Sequence, residues 1–381
     1  MSNGNSNKEN LSAPLINDEE LIPSEIKASG ARVSFPDFNF YNIRTFADMY
    51  VDIKKGSMDD RAGAVQYFKN NSDNQKFLIF TLDNDYSVIA AKHSGKVLDI
   101  MYFPNPMPGP KHFLVQYYFQ NSDNQKFFIS NDGIIAGKID GKVWDVHNGE
   151  TWENAPIVSW DYHGAPNQKF SLVKSGSASI TPPTLGTLPN APDFKTTDLN
   201  ELLPDSTEPV STHATYLPYF MVKDPYYNTK QKMQNSPYYI LVRRQYWEKI
   251  TQRVLGAGES YKFEQTTGVS RTDQTSMTET TEISIGADLG FMFKGFSAGL
   301  STSITKTLSV TKSTSTTEST SKTETVTDSN PFTHTIARAK YMLINEYHVT
   351  RANGQVISSG DGAYWKVPNP NQTVTRTIPR S

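Results

Sequence analysis

The chain repeats itself. Val65–Phe77 (VQYFKNNSDNQKF), Val115–Phe127 (VQYYFQNSDNQKF) and Val158–Phe170 (VSWDYHGAPNQKF) align without a gap. Upstream of each lies a short apolar-Asp-apolar run: Tyr50-Val51-Asp52-Ile53, Val97-Leu98-Asp99-Ile100 and Val143-Trp144-Asp145-Val146. Such short alternating runs read as strands, and an internal repeat of this kind means copies of one supersecondary unit packed together. The first part of the chain, about residues 34–174, is therefore an all-β unit of three related lobes.

Each copy ends on Gln-x-aromatic: Gln75-Lys76-Phe77, Gln125-Lys126-Phe127 and Gln168-Lys169-Phe170. This resembles the ricin-B-type β-trefoil, with Phe in place of that family's Trp, which keeps the apolar anchor and loses the indole donor. The resemblance implies that a lobe can bind sugar. An Asp accepts from sugar hydroxyls, an aromatic ring stacks on the apolar pyranose face, and the Asn of the Asn-Gln pair adds a hydrogen bond. Carried over by position, lobe one offers Asp52, Tyr67 and Asn74, lobe two Asp99, Tyr117 and Asn124, and lobe three Asp145, Trp160 and Asn167. Lobe two carries an insertion, PNPMPGPKH, expected to reshape its pocket. The alternative is that Asp and Asn-Gln only tie loops to the core, a task expected of Gln75, Gln125 and Gln168 in any case.

The second constraint is the stretch Ile283–Val310. Ile283, Ile285, Ala287, Leu289, Phe291 and Phe293 fall on alternate positions. After Lys294-Gly295 the alternation resumes at Phe296, Ala298 and Leu300, then Ile304, Leu308 and Val310. Folded on a Lys-Gly loop, Phe293 faces Phe296, Leu289 faces Leu300 and Ile285 faces Ile304, with small polar residues on the other side. Lys306 falls on the apolar face, at the far end. A tilted strand needs roughly 9–11 residues to cross a bilayer, which is the reach from Ile283 to Phe293. An apolar-out, polar-in dyad is the pattern of a barrel wall, and one hairpin cannot cross alone because its edges would expose unpaired backbone to lipid. The competing reading is an ordinary hairpin in a soluble sandwich.

Both flanks, TTGVSRTDQTSMTETTE and TKSTSTTESTSKTETVTDS, are dominated by Ser and Thr and read as long strands. This layout resembles the aerolysin-type β-pore-forming toxins. Joined to the trefoil it resembles the bacterial insecticidal crystal toxins of the binary-toxin family. The resemblance implies an all-β chain in four parts: a tail or pro-segment (1–33), a trefoil (34–174), a linker (175–195) and an elongated aerolysin-like domain (196–381) with an amphipathic insertion hairpin. It implies a glycan or glycoprotein receptor, target membrane lipid, a homo-oligomer on activation, and room for a second toxin component. The alternatives are a non-lytic lectin or adhesin, or the receptor-binding half of a two-component toxin.

The rest of the second domain adds strands at Tyr216–Val222, Tyr238–Trp247 and Tyr261–Gln265. WEKITQRVL (Trp247–Leu255) is open between helix and strand. Ala337–Val349 alternates Ala337, Ala339, Tyr341 and Leu343 with Arg338, Lys340, Glu346 and His348, which predicts a long strand with one wet face. Asn353-Gly354 signals a turn.

Composition excludes whole classes of function. A net charge of -2 over 381 residues offers no nucleic-acid footprint. With no cysteine there is no disulfide, thiolate chemistry or Cys-ligated zinc. The seven His are scattered without metal-ligand spacing, no nucleophile elbow or phosphate loop occurs, and Asp59-Asp60 and Glu19-Glu20 read as solvated loop charge. Neither an enzyme nor a cofactor is expected. No run reaches 18 apolar residues and the first residues have no apolar core, so a soluble or crystalline protoxin without a signal peptide is expected, released to act at a target-cell plasma membrane.

Overall fold

The computed structural model describes residues 38–82, 86–104, 109–357 and 363–379. The expected tail (1–33) lies outside them, as do Glu19, Glu20 and residues 105–108 of the insertion.

The repeats fold into twelve strands: β1 (Asn39–Arg44), β2 (Tyr50–Ile53), β3 (Ala64–Tyr67), β4 (Phe77–Thr81), β5 (Ser87–Ala91), β6 (Val97–Tyr102), β7 (His112–Tyr117), β8 (Phe127–Ile129), β9 (Ile135–Gly137), β10 (Val143–Val146), β11 (Ile157–Trp160) and β12 (Ser171–Ser177). Their order is β3-β2-β1-β4-β5-β6-β7-β11-β10-β9-β8, with β12 returning to β1 and β5 also meeting β8. In each lobe the Asp-bearing strand pairs antiparallel with the strand that opens the repeat: Asp52 faces Val65, Asp99 faces Val115 and Asp145 faces Val158. Each repeat then turns at a residue with positive φ, Asn71 (59°), Asn121 (59°) or Gly164 (74°), types that tolerate the left-handed region. Phe77, Phe127 and Phe170 fill the core around Trp144, whose ring meets Phe127 and Phe170 edge-on at 5.2 and 5.7 Å.

The second half is built on a four-stranded antiparallel sheet: β13 (Val210–Pro218), β14 (Tyr238–Leu255), β19 (Ile336–Thr350) and β20 (Trp365–Ile378), in that order. A short helix, α1 (Thr229–Asn235), precedes β14. WEKITQRVL continues β14 as strand, because β19 pairs with it as far as Leu255. The Pro-rich stretch after β12 crosses this sheet, with Ala191, Phe194 and Leu203 packed on Ala337, Ala339 and Tyr341. The wet face expected on β19 is absent: the strand is central and buried on both faces. Arg338 is paired with Asp328 at 2.8 Å, Glu346 lies 3.6 Å from Arg244, and His348 is buried with no hydrogen-bond partner for its Nδ1.

Beyond the sheet a two-stranded ribbon, β15 (Ser260–Thr267) and β18 (Lys322–Ser329), carries everything between its strands as an insert. The insert departs from the long strands expected of it. The upstream Ser/Thr flank contains a helix, α2 (Arg271–Thr281), capped by Ser270 and buried through Gln274, Met277 and Thr281. Ile283–Phe293 is not one strand but a small hairpin, β16 (Ile283–Ile285) with β17 (Phe291–Phe293), in which Ile283 faces Phe293 and Ile285 faces Phe291. Residues 286–290 turn the chain, with Leu289 at φ 62° and with Ser313 packed so close to Gly286 and Gly290 that a side chain there would clash. Phe296 does not face Phe293 across a ladder. Lys294-Gly295 leads instead into a helix, α3 (Ala298–Leu308), and Lys306 is exposed on it. The physical reason is that Leu300, Ile304 and Leu308 are spaced four apart as well as even-numbered. They line one helix face, and Ser297 caps the start by accepting from the Leu300 N–H at 3.2 Å.

Candidate functional site

The three lobes build the same polar bracket. In lobe one the Asn74 amide donates to Asp52 Oδ1 at 2.8 Å and the Gln75 amide to Asp52 Oδ2 at 3.0 Å. Gln75 also donates to the Phe68 carbonyl at 2.8 Å and accepts from the Asn70 N–H at 3.1 Å, pinning the loop between them. Lobe two repeats this with Asn124 and Gln125 on Asp99 at 2.8 and 2.9 Å. Lobe three repeats it with Asn167 and Gln168 on Asp145, both at 2.9 Å. Each glutamine thus ties its loop to the core. Burial raises the pKa of Asp52, Asp99 and Asp145, opposed by the hydrogen bonds from Gln and Asn. One amide on each oxygen leaves acceptor lone pairs on Asp52 and Asp99, and in lobe three His163 takes a further place on Asp145 Oδ2.

The lobes differ around that bracket. Lobe one opens onto a cavity of about 590 Å³ lined by Asp52, Tyr67, Asn74, Lys55, His93 and Asn154. In lobe three the His163 ring lies 3.2 Å from Asp145 Oδ2, and Trp160, in the same repeat, is 40% exposed. In lobe two the Tyr117 and Tyr118 rings touch at a tilt of 34°, ring centres 4.2 Å apart. Part of the insertion, residues 105–108, lies outside the described residues. Phe113, just after the insertion, pairs with Val158 of lobe three, as Gly63 of lobe one bridges Val115 of lobe two and Pro156 of lobe three bridges Val65 of lobe one.

Two groups escaped sequence reasoning. Asn154 belongs to lobe three yet lines lobe one's cavity. Gln66 and Gln116 are buried and hold neighbouring lobes together, Gln66 on the Glu150 and Trp152 carbonyls at 2.8 and 2.9 Å, Gln116 on those of Ser57 and Asp59 at 2.8 and 2.9 Å. The Gln shared by the first two copies of the repeat was the available signal.

The insert between β15 and β18 is stowed. Ile283, Ile285, Phe291, Leu300, Ile304 and Leu308 are buried in one cluster, with Leu289, Phe293 and Phe296 half-buried against it. That cluster includes head residues Phe40, Leu78, Phe80 and Leu82. Three polar devices hold the segment. Asp288 accepts from Ser313 Oγ at 2.6 Å and from the N–H groups of Thr314 and Gly290 at 2.9 and 3.1 Å, and these bonds hold its carboxyl well below the usual carboxylate range. Arg243, on β14, caps the C-terminus of α3 by donating to the Leu308 and Ser309 carbonyls at 3.0 and 2.9 Å. The head touches the turn before α3: Asn121 donates to the Gly295 carbonyl at 2.6 Å, and Ser297 Oγ donates to the Leu82 carbonyl. Lys294 and Gly295 are exposed.

Residues 210–379 match the family model described as Insecticidal Crystal Toxin, P42, and residues 34–104 match that of the ricin-type β-trefoil lectin domain-like proteins. With the bracketed trefoil and the stowed insert, these matches support a class: a binary-toxin-type insecticidal protein with a ricin-type β-trefoil head. More particularly, it is 24% identical over 372 residues to the binary larvicide subunit BinB of Lysinibacillus sphaericus, across 78% of this chain and 81% of that one. It is 24% identical over 212 residues to the BinA subunit of the same organism, across 51% of this chain and 53% of that one. The crystal structure of Cry35Ab1 superposes with a TM-score of 0.72 at 20% identity over 91% of each chain, a likeness of fold.

Proposed function

We propose that this chain is an insecticidal β-pore-forming toxin. Its trefoil binds a glycan or glycoprotein receptor, and the nine lobe residues, from Asp52 to Asn167, are the contacts. Protomers assemble on the target plasma membrane, and each contributes residues 283–310 as one hairpin to a shared barrel. The protein is made as a soluble or crystalline protoxin and works by binding and insertion rather than by catalysis.

One observation carries the reading. In the β15–β18 ribbon Ser260 faces Ser329, Phe263 faces Val326 and Thr267 faces Lys322, so the two residue numbers of every pair keep the same sum. Lys294 and Gly295 share that sum. Extended without a slip, the ribbon would end on Lys294-Gly295 and bring together Phe293 with Phe296, Leu289 with Leu300 and Ile285 with Ile304. The same extension sets Arg271 against Glu318, Thr272 against Thr317, and Ser276 against Ser313, all favourable cross-strand neighbours. A helix and a small hairpin thus occupy a stretch whose flanking ladder is already in register for a long one. In that hairpin Ile283, Ile285, Leu289, Phe291, Phe293, Phe296, Leu300 and Ile304 share the lipid face.

The test is dye release from vesicles made with target-membrane lipid and glycoprotein, comparing wild type with Leu289→Arg. Leu289 is a half-buried turn residue at the edge of the apolar cluster, from which an arginine head can reach water, and a urea melt of the variant checks that the soluble fold is kept. On a barrel's outer face near mid-bilayer it costs about 2–4 kcal/mol per protomer. Release should collapse, and release at the wild-type level would refute insertion. A second reading, the receptor-binding half of a two-component toxin, is favoured by the similarity to subunits of a binary larvicide. It is supported instead if release requires a second protein.

A further inference from the structure

The three repeat loops are equivalent by sequence but not by placement. In lobe one, Asn70 lines the open cavity and Asn71 is exposed. The equivalent loop of lobe two, Phe119–Asn121, lies on the second half of the chain. Phe119 packs its ring on Phe220 at 4.1 Å between centres, and Asn121 donates to the Gly295 carbonyl at 2.6 Å. Two residues on, Ser297 donates its hydroxyl to Leu82 while its oxygen caps α3. The turn at 295–297 is thus fastened on both sides by the head, at the place where β17 becomes α3.

We infer that lobe two is a latch: its repeat loop, with the Leu82 carbonyl, holds the 295–297 turn, so the head must come off before residues 291–308 can leave their stowed form. This deepens the insertion reading and rests on it for its purpose, though not for its geometry. The coupling follows from the shared atoms. Extending the segment as strand breaks the Ser297 cap, and a turn carried away with a lengthening hairpin loses its bonds to Asn121 and Leu82 as well. The Ser297 hydroxyl serves both the head and the helix cap, so head release and helix melting are coupled. Lobe one's cavity stays open to a receptor while the latch is closed.

Hydrogen exchange of the full-length protein in solution tests this. Asn121→Gly keeps the positive φ and removes the donor. Ser297→Asp keeps a helix cap and removes the hydroxyl that reaches Leu82. The double variant should speed exchange of amides in 291–308 by roughly tenfold or more, the loss of two ordinary hydrogen bonds, while β4 and β5 exchange as in wild type. Asn121→Gly alone should act in the same direction, by roughly fivefold. Unchanged exchange in 291–308, or acceleration spread evenly over the whole chain, overturns the latch. Faster exchange in a protein that never releases dye keeps the latch and removes the membrane role; dye release with unchanged exchange does the reverse.

Discussion

Replacing Thr275 and Thr314 by cysteine reads the register of the inserted hairpin directly. The chain has no cysteine, so the pair would be its only route to a disulfide. Both side chains are exposed, Thr275 on α2 and Thr314 in the irregular segment before β18. In the lengthened ladder they stand opposite each other, with Cβ atoms about 4.5–5.5 Å apart. A disulfide spans that distance, whereas it fails beyond about 7 Å between Cα atoms. Thr275→Cys with Thr316→Cys is the matched control, on the same face but displaced by two residues to about 7–8 Å. Conversion in water is suppressed by burial. Ile283, Ile285, Phe291, Leu300, Ile304 and Leu308 all leave the core, and at roughly 1.5–3 kcal/mol each their exposure would cost about 9–18 kcal/mol without lipid to receive them. The 275/314 bridge should therefore form under mild oxidation only in membrane-bound oligomers, detected as a reducible intramolecular species on gels, and the 275/316 bridge should not. Preferential 275/316 bridging in leaking vesicles would refute the register; equal 275/314 bridging in water would refute the energetic argument.

Alanine at Asp52, Asp99 and Asp145 should reduce binding on a glycan array without unfolding the trefoil. Asn74 and Gln75 keep backbone partners in the Ile53 and Phe68 carbonyls, so stability measured by urea should fall by only about 1–3 kcal/mol per site; unchanged array binding would show that the brackets serve the fold alone. Asp224→Ala breaks a buried pair in which Arg351 donates to both carboxylate oxygens at 2.7 and 2.8 Å, and should cost about 3–5 kcal/mol in denaturant melts. Burial pushes the Asp224 carboxyl up, but the bonds from Arg351, the Tyr226 N–H and Tyr239 outweigh it and hold the pKa below the ordinary value. A depressed folded pKa means stabilisation that is present above the unfolded value of about 3.9 and lost as pH falls through the lower folded one. Wild type should lose that increment under acid and the variant should lack it; parallel pH profiles would contradict the pairing.

Much of the head could be read from residues alone. A repeat that carries Asp, an aromatic and Asn-Gln-Lys-Phe at fixed spacing permits one kind of lobe. The observed brackets on Asp52, Asp99 and Asp145 differ little because the local chemistry is the same three times. The contacts that make the lobes unequal were not legible. Asn154 reaching lobe one, Phe113 paired with Val158 of lobe three, and Asn121 seated on Gly295 all join residues remote in sequence. In the second half the long strands announced themselves, but the burial of both faces of β19 did not. Alternation marks a strand, and only its neighbours decide whether Arg338 and Glu346 meet water or partners.

The insert shows where sequence stops. Phe296, Ala298, Leu300, Ile304 and Leu308 are even-numbered, which suits a strand, and Leu300, Ile304 and Leu308 are four apart, which suits a helix. Local pattern supports both, and the Ser297 cap and Lys294-Gly295 turn serve either. The surroundings choose. Apolar surface from the head and from β13 and β14 takes up one helix face, and Arg243 closes the helix end. The sequence by itself determined a trefoil, a long-stranded body and a stretch able to be greasy on one side. Which side that is, and in which form, was decided by tertiary structure, because burial is conferred by what lies opposite and not by the residue buried.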